Sequence, residues 1–156
     1  MCFQFVFMQL TVFTDYGLRS LMYLATNPKK KCSVREVAEH YGISRNHLVK
    51  VVHRLAQLGY ITSSKGKGGG IQIAQDAEAL RLGDLVCKLE PNMYLVECFD
   101  LKTSTCTVVN SCRLKHYLVD ANIAFIDSLN RYTLADAVAN SSFGSGISAS
   151  PLKRTQ

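Results

Sequence analysis

Between Ser33 and Gly59 the apolar residues keep two separate helical periods broken by one glycine, a pattern that leaves few folds open. Val34, Val37, Ala38 and Tyr41 recur at i, i+3, i+4 and i+7, the spacing of one buried stripe. Ser33, three residues before Glu36, forms a capping box that satisfies the free amides of a helix start. Gly42 ends this helix and permits a sharp turn. Ser44 then caps a second helix, in which Leu48, Val51, Val52 and Leu55 repeat the stripe until Gly59 stops it. Two short helices across a glycine turn are the helix-turn-helix layout. The second carries Arg45, Asn46, His47, Lys50 and Arg54 off its apolar stripe.

The segment that follows, "GYITSSKGKGGGIQIAQ", places β-favouring residues on both sides of a glycine-rich tip. It predicts a hairpin of residues 60–63 and 71–74 with Lys65 and Lys67 in the tip. A nucleotide-binding loop is the competing reading. It fails because no Gly-x-x-x-x-Gly-Lys-Ser/Thr is present and "GKGGGI" lacks the last glycine of Gly-x-Gly-x-x-Gly. Placed directly after a helix-turn-helix, the hairpin reads as a wing whose lysines reach backbone phosphate or the minor groove.

Charge supports that reading. From Pro28 to Gly70 there are nine Lys or Arg against Glu36 and Glu39, a net +7, whereas the rest of the 156-residue chain carries nine basic and ten acidic residues, a net −1. The overall +6 therefore belongs to one sub-region, which predicts a face that meets a polyanion. Arg and Lys suit guanine edges or phosphate, and Asn pairs bidentately with adenine. Arg45, Asn46 and His47, at the helix start with Ser44, occupy the end that enters the major groove of double-stranded operator DNA in helix-turn-helix proteins.

Around this unit the chain reads as helical. Leu18, Leu21, Met22 and Ala25 mark a core helix with Thr14 as its cap, and Leu82, Leu85, Val86 and Leu89 mark a short one closed by Pro91, with Cys87 expected as a small buried residue. From Arg113 onward a long helix carries two apolar stripes, one of Leu114, Leu118, Ala121 and Phe125, the other of Val119, Ile123 and Ile126. Two stripes exceed what a small core needs, so a homodimer is expected. The expected class is mainly α with a small β-hairpin: a winged helix-turn-helix region over residues 9–90 (helix-turn-helix 33–58, wing 60–74), a loop over 91–112, and a dimerisation helix with a terminal helix over 113–138. Residues 1–8 read as an upstream extension, with Met8 the natural start, and 139–156 as a disordered Ser- and Gly-rich tail. No apolar run approaches the roughly 18 residues that span a bilayer, which points to the cytoplasm.

The loop holds Cys98, Cys106 and Cys112, three of the six cysteines in fifteen residues. In a reducing compartment such a cluster is metal-binding or redox-active more often than a disulfide staple. Thiolate sulfur suits iron–sulfur clusters and zinc. The Cys-x2-Cys pairs of zinc ribbons are absent, although His116 could complete a Cys3His zinc site. For the cysteines alone, metal binding and simple free thiols stand as equal readings.

Across residues 8 to about 138 the chain resembles the Rrf-type winged-helix transcription regulators, and among them the nitric-oxide-sensitive repressors. The stretches that carry the resemblance are "QLTVFTDYGLRSLMYLA", "YGISRNHLVKVVHRL", "GKGGGIQIA", "GDLVCKLEP", "LVEC", "CRLKHYL" and "RYTLADAV". The first cysteine gap, seven residues, is longer than the family pattern. The resemblance implies a dimeric repressor in which Cys98, Cys106 and Cys112 hold one iron–sulfur cluster per subunit, 2Fe–2S or 4Fe–4S, and in which nitrosylation of the cluster by nitric oxide releases DNA and derepresses nitrosative-stress defence genes. It also implies that Asp15 serves as a fourth ligand donated across the dimer. The alternative for Asp15 is a first-turn carboxylate favoured by the helix macrodipole. Rival functions are a winged-helix repressor sensing iron–sulfur or thiol redox status or binding zinc, and an iron–sulfur electron carrier, which leaves the +7 segment unexplained. No catalytic constellation is present in the sequence, so an enzyme is not expected.

Overall fold

The computed structural model describes residues 9–100 and 102–139. Residues 1–8 and the tail from 140 on, expected as an extension and a disordered segment, lie outside the described residues. The order of elements is α1 (Val12–Ala25), α2 (Val34–Tyr41), α3 (Arg45–Gln57), β1 (Ile61–Ser64), β2 (Gly70–Ile73), α4 (Leu82–Leu89), a 3-10 turn (Glu97–Phe99), α5 (Arg113–Leu129) and α6 (Leu134–Ala139). The expectation of a mainly helical chain with one small hairpin is met.

The stripe of α3 is buried along its length, and that of α2 at Val37 and Ala38, with Val34 and Tyr41 half-buried against the core. Val37 and Ala38 of α2 and Leu48, Val51, Val52 and Leu55 of α3 join Leu21 and Leu24 of α1 and Ile61 and Ile71 of the hairpin in one core. Ser33 Oγ accepts the Glu36 N–H at 3.0 Å, as the capping box predicts. The Glu36 carboxylate also accepts from Lys30 Nζ at 2.7 Å and from the Tyr23 hydroxyl at 3.0 Å, so the glutamate ties α1 to α2. Gly42 ends α2 in the left-handed conformation, at φ 63°, which a side chain would strain. Ser44 occupies the N-cap position of α3 without a side-chain hydrogen bond.

In the hairpin, Ser64 pairs with Gly70 and Ile61 with Ile73, so the tip is Lys65 to Gly69. A third strand-like partner was not legible in the sequence. Cys32 exchanges backbone hydrogen bonds with Ile71, 2.9 Å from its N–H and 2.7 Å to its C=O. A Cβ on Gly70 would lie 2.8 Å from the Cys32 carbonyl oxygen, which accounts for a glycine at that strand position. Cys32 is thereby fully buried, and burial pushes its thiol up.

Two expectations need correction. Thr11, not Thr14, caps α1: its Oγ1 accepts the Thr14 N–H at 3.3 Å, and Thr14 lies buried inside the first turn. The reason is Glu90, whose carboxylate gathers both threonine hydroxyls and the Thr11 N–H from across the fold. Cys87 is exposed rather than buried, because the inner face of α4 is filled by Gly83, Leu85, Val86 and Leu89.

The helix α5 packs along α4, and none of its residues is fully buried within the one chain. Leu114, Tyr117 and Ile123 are more than half exposed. Beyond it α6 folds back beneath α1, fixed by the Leu134 N–H to the Leu80 carbonyl at 2.8 Å. Asp136 and Thr133 cap its start reciprocally, and the Thr133 backbone N–H holds the Asp136 carboxyl below its usual range.

Candidate DNA-reading face and cysteine loop

With Leu48, Val51, Val52 and Leu55 turned inward, α3 presents Arg45, Asn46, His47, Val49, Lys50, His53, Arg54 and Gln57 to solvent. Every reading-face residue expected from the sequence, Ser44 included, is exposed. They do not form one group. Arg54, three turns in, lines an open cleft of about 580 Å³ with Thr11, Phe13, Cys87 and Glu90, on the side facing α1 and α4. Arg45 borders a different groove with Arg35, Glu39 and Gly42.

The electrostatics of the +7 segment follow from its ion pairs. Glu36 is held by Lys30, which keeps its carboxyl below the usual range, and Glu39 by Arg35 at 2.6 Å. Both acids of the segment are therefore neutralised locally. Lys29, Lys31, Arg45, Lys50, Arg54, Lys65 and Lys67 make no salt bridge among the described residues, so their charge is available to an outside anion. In the wing tip Gly66 and Gly68 adopt φ of 93° and 81° in open space, which turns the chain between two exposed lysines.

The cysteine loop leaves α4 at Pro91 and enters α5 at Cys112. Cys98 sits in the 3-10 turn and is half-buried, Cys106 is exposed, and Cys112 occupies the N-cap of α5 without a capping bond. All three thiols are free. Among the described residues, no three His, Cys, Asp or Glu side chains stand close enough together to hold a metal ion, so the loop does not gather the three cysteines. The physical reason is that the loop is shaped by local polar bonds. The Glu97 carboxylate accepts the Thr105 N–H at 3.1 Å, Asp100 Oδ1 accepts the Lys102 N–H at 3.0 Å, and the Asp100 carbonyl accepts the Ser104 N–H at 2.9 Å. The donor set nevertheless fits an iron–sulfur cluster: three soft ligands, none committed to a disulfide, on one loop.

Asp15 lies in the first turn of α1, where its Oδ1 accepts from Arg19 Nε at 2.9 Å, both side chains less than half exposed to solvent. It is not grouped with the cysteines of its own chain. His116 projects from the first turn of α5 into solvent.

Two residues with a part in this arrangement were missed in the sequence. Glu90 looks like any helix-end carboxylate, and only the fold brings it to Thr11. Val49 is apolar and so merges with the neighbouring core valines, although its phase places it on the outer face.

The chain was compared with known proteins. The Rrf2 family profile, described as an iron-dependent transcriptional regulator, matches residues 10–140. The HTH-type transcriptional regulator NsrR of Shouchella clausii is 48% identical over 134 residues, covering 85% of this chain and 90% of the relative. Its namesake in Bacillus subtilis is 44% identical, covering 85% and 92%. Among solved structures, CymR, the global cysteine regulator of B. subtilis, superposes with a TM-score of 0.70 at 21% identity over 86% of this chain and 99% of that one. T. potens IscR does so with 0.68 at 20% identity over 85% and 87%. These two likenesses bear on the fold, and the sequence matches bear on the family. An apolar stripe read as a helix-turn-helix, a glycine hairpin read as its wing and a match over most of the length agree that the chain is a regulator rather than an enzyme, and it belongs to the Rrf2 family of transcriptional regulators.

Proposed function

We propose that the protein is a cytoplasmic, homodimeric repressor that binds operator DNA through α3 and the wing and lets go when nitric oxide reaches an iron–sulfur cluster held by Cys98, Cys106 and Cys112. The observation that carries this reading is the position of the three free thiols, on a loop that runs directly into the N-cap of α5, a helix with no fully buried residue. Support comes from 48% identity to a relative named NsrR and from the seven cations of the +7 segment that make no salt bridge among the described residues.

When bound, the cluster supplies iron atoms that nitric oxide attacks. The chain supplies the rest. Cys98, Cys106 and Cys112 would hold the group, and Cys112, at the N-cap of α5, would tie it to the start of that helix. Leu114, Tyr117 and Ile123 on α5 offer the apolar surface for a second copy. Asp15, donated across the dimer, is the fourth donor in this reading, with Oδ2 as the oxygen that Arg19 does not engage.

A route from loop to DNA runs through α4. Its start is fixed to α5, with Asn130 Oδ1 accepting the Asp84 N–H at 3.0 Å, and its end is fixed to α1 through Glu90. Because α1 packs against α3, displacing the loop or α5 shifts the recognition helix. Dimers read half-sites at a fixed separation, so a small shift costs affinity.

The test is DNA binding by protein purified without oxygen, followed through stepwise addition of nitric oxide. Binding lost in step with nitric oxide, and absent from Cys106→Ser protein, supports the sensor. Binding indifferent to nitric oxide but abolished by a thiol oxidant would replace it with a thiol-sensing repressor.

A further inference from the structure

Eight large apolar side chains are strongly exposed among the described residues, and seven have a common setting. Val12 begins α1, Tyr94 and Val108 lie on the cysteine loop, Leu114, Tyr117 and Ile123 line α5, and Tyr132 follows it. The eighth is Val49, 48% exposed, on α3. It has no place in the dimer surface just described.

Val49 stands four residues after Arg45, three after Asn46 and four before His53, so on a helix these side chains share one outward face, with Lys50 alongside. A β-branched apolar side chain beside the exposed cations Arg45 and Lys50 has nothing to offer phosphate. In the major groove the one apolar group on a base edge is the thymine 5-methyl, which apolar side chains read by contact. We infer that Val49 is a specificity-determining residue that selects thymine in each operator half-site by packing against its methyl group, between the polar contacts of Asn46 and Lys50. This rests on the reading of α3 as the recognition helix.

The experiment selects binding sites from a random-sequence duplex library, using the full chain purified without oxygen, in parallel for wild type and Val49→Ala. Thymines of the selected site are then replaced one at a time by deoxyuridine, which removes only the methyl group. The expected result is one thymine per half-site whose replacement weakens wild-type binding roughly fourfold, the effect of burying one methyl group. The same replacement has a smaller effect on Val49→Ala, whose shorter side chain covers less of the methyl group, and that variant's own selection prefers thymine there less strongly. If every deoxyuridine replacement affects both proteins equally, Val49 does not read a thymine and the inference is overturned. If wild type selects no common sequence at all, the recognition reading of α3 fails and takes this inference with it. Because Val49 is half exposed, the alanine protein keeps the core intact, and an unchanged thermal melt confirms this.

Discussion

Glu90 and Thr11 are 79 residues apart, yet the Glu90 carboxylate accepts both the Thr11 N–H, at 3.0 Å, and the Thr11 hydroxyl, at 2.9 Å. A residue just beyond α4 thus holds Thr11, the N-cap of α1, adding a charge-assisted bond at the positive end of that helix. Asp15 sits one turn further on, and the cysteine loop starts one residue after Glu90.

Replacing Glu90 with alanine is expected to cost about 1–2 kcal/mol, the range for a lost helix cap with a charged acceptor. Urea unfolding at fixed protein concentration measures it. Glu90→Gln, which keeps an acceptor but loses the charge, should fall between wild type and alanine. An unchanged midpoint in both would show the clamp to be idle.

A second contact fixes the other end of α4. A Cβ on Gly83 would lie 2.5 Å from Asn130 Oδ1 and 2.6 Å from the Ile126 carbonyl oxygen. Elsewhere in a helix, Gly to Ala stabilises by up to about 1 kcal/mol. Here Gly83→Ala is expected to destabilise by roughly 1–3 kcal/mol, because α5 must move outward to make room. Thermal unfolding gives the sign, and sedimentation tells whether the displaced α5 still supports a dimer.

Much of this framework was legible in the sequence, and the parts that were not share a cause. The stripes of α2 and α3, the stop at Gly42 and the wing are local, set by periods and turn residues within a few positions of one another. The Cys32–Ile71 bridge, the Glu90–Thr11 contact and the exposure of Cys87 depend on which elements meet, and residue spacing does not encode that. Thr11 caps α1 through a local bond to the Thr14 N–H, which residue spacing can suggest, whereas the Glu90 carboxylate that holds Thr11 lies 79 residues away and cannot be read that way. For the site, the residue types could be read directly, whereas the gathering of three thiols could not, since the loop's own hydrogen bonds hold them apart.

For the wing, Lys65→Ala and Lys67→Ala are expected to weaken binding to all DNA sequences alike, and each to lower the slope of log affinity against log salt by about 1. Titrations at several salt concentrations measure this. An unchanged slope would remove the lysines from the phosphate contact.

Acid stability should depend on Glu36. Its carboxyl is held below the usual range chiefly by Lys30, then by Tyr23 and Ser33. A group with a depressed folded value stabilises the fold above the unfolded glutamate value, about 4.3, and loses that contribution as pH falls through the lower folded value. Between neutral pH and the acid limb, Glu36→Gln should therefore be less stable than wild type, with the difference shrinking below pH of about 4. Unfolding midpoints measured across pH 3–7 provide the check, and a difference constant with pH would contradict the assignment.

The central claim, that Cys98, Cys106 and Cys112 hold an iron–sulfur cluster, is tested most directly by iron and acid-labile sulfide analysis with the visible spectrum on protein purified without oxygen. The expected protein is brown, carries iron and sulfide in near-equal amounts, loses both in Cys106→Ser, and bleaches as nitric oxide is added. A colourless protein holding zinc or no metal under the same conditions would contradict the claim.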